Sequence, residues 1–146
     1  MKSLYTAEVT VKDGRTGNAK SQDGYLNHDL SKPESMGGDG SEGTNPEQMF
    51  AAAYGACFLE ALKGVAKKEN VELHNPRMVV KVSFNEEEEE SKSYQLSAAL
   101  NVIDESVDTE QLDQIVRKTH QVCPYSKATR GNMDVVLTAN KIEVEA

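Results

Sequence analysis

Two cysteines are the residues in this sequence best suited to chemistry. Cys57 and Cys123 are the only cysteines among 146 residues and lie 66 positions apart. A thiolate is both a nucleophile and a redox centre. Two cysteines are too few for the disulfide framework of a secreted protein, and a permanent bridge is rarely kept in a reducing cytosol. The pair therefore consists either of free thiols or of a transient, working couple.

Cys57 lies within a long apolar segment that has the pattern of a helix. Burial there disfavours the thiolate, and no helix N-terminus is expected close enough to offset this cost. Cysteine is also among the most frequently buried residue types, so a structural role in the core is the simpler interpretation. A reactive Cys57 requires a further group that stabilises its charge.

Cys123 begins the sequence Cys-Pro-Tyr-Ser, where one predicted helix should stop and Pro124 can open another. As the N-cap of the second helix, its thiol would face the positive helix end, which lowers a thiol pKa, and would be exposed. A cysteine before proline can equally mark a helix boundary and nothing more. Both interpretations stay open on the sequence.

Arg15 is a candidate cation for Cys57, because arginine keeps its charge when partly buried and presents a planar fork of donors. It lies on a turn between Gly14 and Gly17. Glu47 could hold it, although an acid in a first helical turn is favoured by the helix dipole anyway. Glu47 and Cys57 are ten residues apart, or roughly 15 Å along one helix. Arg15 must span that gap, or the pair must come from a second subunit.

Other chemistries find little support in the sequence. His120 precedes Cys123 by three residues, but the remaining histidines, His28 and His74, show no zinc-ligand spacing with the cysteines. No bound metal is expected. The motifs of nucleotide binding and acyl transfer are absent as well.

The elements that must position these residues alternate in type. Period-2 patterns predict strands over Tyr5 to Val11, Met78 to Phe84, Tyr94 to Val102 and roughly Met133 to Val144. The acidic run Glu86 to Glu90 should be a solvated turn between two of them. Asn45, Pro46 and Gln48 form a capping-box helix start. The following twenty residues should form a helix that is apolar on most sides, which favours a buried, central helix over a surface one. A second helix is expected near Thr109 to Val122, which favours an α+β fold with antiparallel sheet.

Composition limits size and partners. The length predicts a single domain, 1–146, whose 38% hydrophobic content is lean enough to leave room for burial between subunits. A net charge of −8 argues against nucleic acid and anionic membranes as partners. The N-terminus has no export signal and no stretch approaches the length of a spanning helix, so a cytoplasmic location is expected.

Two segments carry a family resemblance. The blocks Gly43 to Phe58 (GTNPEQMFAAAYGACF) and His120 to Asn132 (HQVCPYSKATRGN) resemble the two signature blocks of the organic hydroperoxide resistance (Ohr) proteins of the Ohr/OsmC superfamily. The similarity extends in order and spacing along nearly the whole chain, including the early Gly-Arg turn. The sequence after Cys123 resembles the Ohr branch more than the OsmC branch.

The resemblance implies an OsmC-like fold, with antiparallel β-sheets packed around two central helices in an intertwined homodimer whose active sites lie at the subunit interface. It implies Cys57 as the peroxidatic thiol, Cys123 as the resolving thiol and the Arg15 and Glu47 pair as activators. The expected activity is reduction of organic hydroperoxides through a Cys57 sulfenic acid and a Cys57–Cys123 disulfide. An apolar pocket with Phe50, Tyr54, Phe58 and Tyr125 as candidates would favour alkyl or fatty-acyl substrates.

No metal, haem or flavin is implied, since sulfur performs the redox chemistry. The resemblance points to dihydrolipoamide or a lipoylated protein as the external dithiol reductant. Two other functions remain as alternatives: a binding module for apolar ligands with structural cysteines, and a redox switch that oxidises without turnover. Thiol accessibility separates the first from a peroxidase, and stoichiometric oxidation identifies the second.

Overall fold

The computed structural model describes residues 1–89 and 92–141. The chain divides into two compact units, one of residues 1–49 and the other from residue 50 onward. The long helix begins in the first unit and continues into the second. A single domain over 1–146 stays a prediction, and the two units are described separately.

The first unit is built on a small sheet of three antiparallel strands, in the order β1-β2-β3. The strands are β1 (Val9–Lys12), β2 (Asn18–Ser21) and β3 (Asn27–Asp29), and a short 3₁₀ helix, Gly14–Thr16, connects the first two. The predicted first strand is present, although it begins at Val9 and not at Tyr5. The segment from residue 31 to residue 45 holds one further 3₁₀ turn, Glu34–Met36.

Helix α1 (Pro46–Lys68) starts where the sequence predicted. The side chain of Asn45 caps it, accepting a hydrogen bond from the backbone N–H of Gln48 at 2.8 Å. The second half of the predicted capping box differs, because the Gln48 side chain accepts a hydrogen bond from the Thr44 hydroxyl, 2.8 Å away. Gln48 therefore ties the preceding loop to the first turn.

In the second unit, α1 buries one stripe of side chains. Its buried residues follow a four-residue spacing: Tyr54, Phe58, Leu62 and Ala66. The prediction of a buried, central helix is confirmed, since α1 is a core helix, although Ala52 and Ala56 are exposed in this chain. Gly55 lets the helix approach the sheet closely, because a Cβ there would lie 3.2 Å from a Val80 methyl carbon.

By length and composition, α1 could cross a membrane, and within the described part of the chain it alone meets that test. The expectation that no segment reaches this limit was therefore wrong. Core helices of soluble proteins pass the same test, and α1 is a core helix, since Tyr54, Phe58 and Leu62 are fully buried.

The rest of the second unit is a three-stranded sheet with two helices. Strands β4 (Arg77–Glu86) and β5 (Tyr94–Ile103) pair antiparallel over ten residues, which confirms the predicted hairpin. Glu87 to Glu89 are exposed in the connection, and Glu90 lies outside the described residues. Helices α2 (Thr109–Val122) and α3 (Pro124–Thr129) follow, as predicted. The core that they share with α1 and β5 includes Leu100, Val102, Leu112, Ile115 and Val116.

The last strand corrects the predicted sheet. Strand β6 (Val135–Ala139) pairs with β5 in the parallel direction, so this sheet is mixed, with order β4-β5-β6. A parallel neighbour requires a crossover connection, and α2 and α3 provide it. The predicted continuation of this strand to Val144 lies beyond Lys141, outside the described residues. The fold class is α+β, of the OsmC-like type.

Candidate active site

The structure brings the two cysteines together within the second unit. Cys57 lies in the middle of α1, and Cys123 stands at the junction of α2 and α3. Both are free thiols, and their Sγ atoms are 4.0 Å apart, with Cys123 donating a weak hydrogen bond to Cys57. A disulfide has an S–S length of about 2.05 Å, so closing the bond requires an approach of about 2 Å. The two sulfurs are therefore near each other but not bonded.

The two thiols differ in exposure. Cys123 is fully buried, whereas Cys57 is partly exposed. The prediction that Cys123 would be exposed at the start of a helix is therefore wrong. It does occupy the N-cap of α3, but its side chain makes no capping hydrogen bond there. Solvent and solutes can reach Cys57 more readily than Cys123.

The surroundings of Cys57 disfavour its thiolate. Burial raises its pKa above the ordinary value of 9.0, and the neighbouring Cys123 raises it further. One group acts in the opposite sense, because the backbone N–H of Tyr125 donates to the Cys57 sulfur and lowers the pKa. Tyr125 is the second residue of α3. The first turn of a helix therefore does donate to Cys57, contrary to expectation. No local pattern in the sequence indicates that the chain folds this helix onto α1.

The four aromatic candidates for substrate binding divide into two pairs. Tyr54 and Phe58 are fully buried in the core, which makes their assignment to an accessible pocket wrong. Phe50 and Tyr125 instead line an open cavity of about 440 Å³. The other lining residues of this cavity are Tyr94, Gln95, Leu96, Ala128, Thr129, Asn132 and Met133. Tyr125 thus lines the cavity and also donates its backbone N–H to Cys57.

A buried cluster of hydroxyl groups joins α1 to α3. The Tyr54 hydroxyl lies 3.0 Å from the Ser126 Oγ and 3.0 Å from the Thr129 Oγ1. Sequence reasoning missed Ser126 and Thr129. The available signal was that Ser126 and Thr129 are three residues apart in the helix that follows Cys123. Residues at this spacing lie on one face of a helix.

In the first unit, Arg15 and Glu47 form a two-pronged ion pair. Arg15 donates from its two terminal nitrogens to the two carboxylate oxygens of Glu47, at 2.9 Å and 2.6 Å. The side chains retain 29% and 14% of their accessible surface. The hydrogen bonds from Arg15 hold the pKa of Glu47 below its usual value and raise that of Arg15. Arg15 sits in the 3₁₀ helix between β1 and β2, and Glu47 in the first turn of α1.

Metal chemistry finds no ligand set in the described residues. Within 1–89 and 92–141, no three His, Cys, Asp or Glu side chains are grouped so that they could hold an ion. A further cavity of about 700 Å³ is lined by residues such as Arg77, Asn101 and Asn140, and neither cysteine borders it.

Comparison with known proteins identifies the group to which this fold and this cysteine pair belong. The OsmC-like protein family matches residues 37–138. Organic hydroperoxide resistance protein OhrB of Bacillus subtilis is 42% identical over 92% of this chain and 97% of the relative. The organic hydroperoxide resistance protein of Xanthomonas axonopodis pv. citri is 44% identical over 94% of this chain and 95% of its own length.

Solved structures agree with the sequence matches. The crystal structure of OhrB of Bacillus subtilis superimposes with a TM-score of 0.86, covering 94% of this chain and 99% of that one at 42% identity. That of an organic hydroperoxide resistance protein OsmC from Legionella pneumophila also gives 0.86, covering 96% and 100% at 38% identity. The chain therefore belongs to the OsmC-like family, and within it to the organic hydroperoxide resistance proteins.

Proposed function

We propose that this protein is a cysteine-based peroxidase that reduces alkyl or fatty-acid hydroperoxides to alcohols and so protects against oxidative stress. One observation carries the proposal above all: the Cys57 and Cys123 sulfurs lie 4.0 Å apart, one partly exposed and the other buried. Family membership adds the substrate class, since the relatives are named for organic hydroperoxide resistance.

The first step takes place at Cys57, the more accessible thiol. Its thiolate attacks the distal oxygen of the hydroperoxide, the O–O bond breaks, and the S–O bond forms. Cys57 becomes a sulfenic acid and the substrate leaves as an alkoxide, which takes up a proton to give the alcohol. Two electrons pass from sulfur to the peroxide, so no metal or organic cofactor is required.

Arg15 and Glu47 are proposed to activate this step. Burial keeps the pKa of Cys57 high, so a fixed positive charge is needed if the thiolate is to form near neutral pH. Arg15 would supply that charge and stabilise the departing oxygen, while Glu47 holds its guanidinium in one orientation through both oxygens. The ion pair supports this role because a two-pronged contact fixes the plane of the guanidinium.

The second step joins the two sulfurs. The Cys123 thiol attacks the Cys57 sulfenic sulfur, the S–O bond breaks, and water leaves as the disulfide forms. Cys123 is already oriented toward its target, since it donates a hydrogen bond to the Cys57 sulfur in the reduced protein. Its burial keeps it away from the peroxide, so that it reacts with Cys57 in preference to solutes.

The proposed substrate preference rests on the cavity that Phe50 and Tyr125 line. Phe50, Leu96, Tyr125 and Met133 give it apolar walls, and its volume of about 440 Å³ suits an alkyl chain. Hydrogen peroxide would gain nothing from such walls. We therefore propose that the organic group of the hydroperoxide lies in this cavity while its peroxide oxygens face Cys57.

We propose that the protein is a homodimer. Ala52 and Ala56 lie exposed on α1, and a shallow apolar groove of about 350 Å³ runs beside them between this helix and β4. Single chains seldom leave a continuous apolar helix face in water. A second copy of the chain would cover it.

The disulfide must be reduced again from outside the chain. Thiol–disulfide exchange with a small dithiol or a lipoylated protein restores both thiols and leaves the donor oxidised. A cytoplasmic location fits this cycle, because reductants are supplied there. No nucleic acid or membrane partner is proposed for a chain with a net charge of −8.

Turnover of cumene hydroperoxide with dihydrolipoamide tests the proposal on the wild type, Cys57→Ser and Cys123→Ser. The wild type should turn over catalytically, and Cys57→Ser should lose the activity. Cys123→Ser should consume one equivalent and stop, with a sulfenic acid at Cys57 that dimedone traps.

Three results would reject the proposal or redirect it. Sustained turnover by Cys57→Ser would remove Cys57 from its role. Two unreactive thiols in the wild type would favour a binding module for apolar ligands. Stoichiometric oxidation of the two thiols, without catalytic turnover when a dithiol is present, would favour a redox switch.

A further inference from the structure

We propose that the hydroxyls of Tyr54, Ser126 and Thr129, here called the hydroxyl lock, position Cys123 for disulfide closure and thereby protect Cys57 from irreversible oxidation. The three act as positioning residues, since none of them is assigned contact with the peroxide oxygens. The inference rests on the proposed peroxidase cycle and adds the control of its second step.

The lock connects the two elements that carry the cysteines. Tyr54 lies three residues before Cys57, one turn away on α1. Ser126 lies three residues after Cys123, on α3. The two hydrogen bonds that join the Tyr54 hydroxyl to the Ser126 and Thr129 hydroxyls are each 3.0 Å long, and the Thr129 hydroxyl also donates to the Ser126 carbonyl at 3.3 Å.

Burial makes this contact more than a surface hydrogen bond. Tyr54 and Ser126 are fully buried, and Thr129 is nearly so. A buried hydroxyl without a partner is costly, so the three groups hold one another in a single arrangement and exclude water. Apolar side chains of similar shape would fill this space without fixing the rotation or slide of α3. The three hydroxyls therefore fix the rotation and the position of α3 more tightly than apolar packing alone would.

Helix α3 needs such a fixed point, because it has only six residues, Pro124–Thr129. It carries two groups that act on Cys57: the Cys123 thiol at its N-cap and the Tyr125 backbone N–H in its first turn. A displacement of about 1 Å in such a segment can cost a reaction step a large factor in rate. The lock fastens α3 to the turn of α1 next to the peroxidatic thiol.

The rate of disulfide closure determines how much of the Cys57 sulfenic acid is oxidised further. A Cys57 sulfenic acid has two fates: attack by the Cys123 thiol, which releases water and gives the disulfide, or reaction with a second hydroperoxide. The second route transfers another oxygen to sulfur, releases an alcohol and leaves a sulfinic acid, which dithiols do not reduce. Loosening α3 slows the first route far more than the second, because only the first requires the Cys123 thiol to be held at Cys57. The lock thus determines how many cycles the protein completes before inactivation.

Tyr54→Phe is the sharpest test, since it keeps the ring and removes only the hydroxyl. In single turnovers with cumene hydroperoxide, acid quench and mass spectrometry resolve the sulfenic, disulfide and sulfinic forms of Cys57. We expect Cys57 oxidation to stay within about threefold of the wild type. Disulfide closure should slow about tenfold, which corresponds to one lost positioning contact. The sulfinic fraction per turnover should rise in proportion.

Control variants separate positioning from general destabilisation. Thr138→Val removes a part-buried hydroxyl that donates to the Asn101 side chain at 2.9 Å, in β6 and away from both cysteines. It should leave both rates within twofold, roughly. Ser126→Ala removes the other end of the lock and should reproduce the Tyr54→Phe result. Thr129→Ser, which keeps the hydroxyl, should preserve fast closure that Thr129→Val loses.

The outcomes decide the two proposals separately. Slow closure with nearly normal oxidation in Tyr54→Phe and Ser126→Ala supports the lock. If both variants close the disulfide as fast as the wild type, or if Thr138→Val slows closure equally, the lock is rejected while the peroxidase survives. If wild-type Cys57 fails to form a sulfenic acid with peroxide, the peroxidase itself is rejected.

Discussion

The Arg15–Glu47 pair and the Cys57–Cys123 pair differ in burial and in the interactions that hold them together. The ion pair is made of two permanent charges, remains partly open to water and is held by two strong hydrogen bonds. The thiol pair has one member fully buried and is held by the packing of α1, α2 and α3. The two charged side chains are partly exposed, where contact with water lowers the free-energy cost of their charges. The Cys123 sulfur, in contrast, is buried in the core.

This contrast predicts a separation of effects. Changes to the ion pair should alter the rate of peroxide reduction and barely alter stability. Changes to the core beneath the thiols should alter stability first. A single variant that shifted both by similar factors would weaken the separation.

The largest effect is expected from Phe58→Ala. Phe58 is fully buried one residue after Cys57, and its removal leaves a large cavity. The free energy of unfolding should fall by about 3–5 kcal/mol, measured by urea denaturation. Phe84→Ala is the matched control, because Phe84 is 38% exposed and stacks on Tyr94. It should cost about 1 kcal/mol, and equal losses in the two variants would contradict the assigned core.

The next effect is on rate. Arg15→Gln removes the proposed cation, and the second-order rate of Cys57 oxidation near neutral pH should fall about 10²-fold. The rate should then climb about tenfold per pH unit into the alkaline range, because the raised pKa of Cys57 leaves it protonated. Stopped-flow measurements at several pH values test both points.

Arg77→Gln provides the control for that variant. Arg77 also pairs with a carboxylate through two hydrogen bonds, to Glu105, and this pair has no proposed role in the reaction. Its oxidation rate should match the wild type. A loss of rate in Arg77→Gln equal to that in Arg15→Gln would show that any surface arginine has the same effect.

A smaller effect is expected from Glu47→Gln. The neutral amide retains one acceptor for Arg15 but loses the charge-assisted, two-pronged contact, so Arg15 should point correctly for only part of the time. Oxidation of Cys57 should slow about tenfold, with Glu105→Gln unchanged. A Glu47→Gln variant as fast as the wild type would remove Glu47 from the activating pair.

The smallest effect concerns stability in acid. The pKa of Glu47 is lowered in the folded protein by Arg15, so its contribution to stability is present above 4.5, the ordinary value, and is lost as pH falls through the lower folded pKa. At neutral pH, Glu47→Gln should be less stable than the wild type by under about 1 kcal/mol. Thermal unfolding in acid should show this gap closing. A gap that persists in acid would contradict the ion pair.

The sequence predicted the elements well where local signals were strong. Asn45 and Pro46 marked the start of α1, alternation revealed the β4–β5 hairpin, and Cys123-Pro124 marked the boundary between α2 and α3. The parallel direction of β6 could not be read in the same way, since period-2 alternation is the same in both orientations. Strand direction is decided by the crossover that joins the strands.

Prediction from the sequence had the same limit at the candidate active site: it identified residues but not their docking. Residue type and resemblance singled out Cys57 and Cys123, and the structure places them together. Their relative burial, the Tyr125 backbone N–H at Cys57 and the Tyr54 hydroxyl contacts all depend on how α3 docks on α1. A backbone donor has no sequence signature, because every residue except proline has one. Tertiary docking decided which aromatic rings became core and which became cavity wall.

Peptide mapping of the oxidised protein tests the central claim most directly. The reduced wild type is treated with one equivalent of cumene hydroperoxide, free thiols are alkylated, and the digest is analysed without reduction. We predict one disulfide-linked peptide pair containing Cys57 and Cys123, formed in equal amount to the alcohol released. Two alkylated cysteines after all the peroxide is consumed, or Cys57 as sulfinic acid beside an alkylated Cys123, would contradict the account.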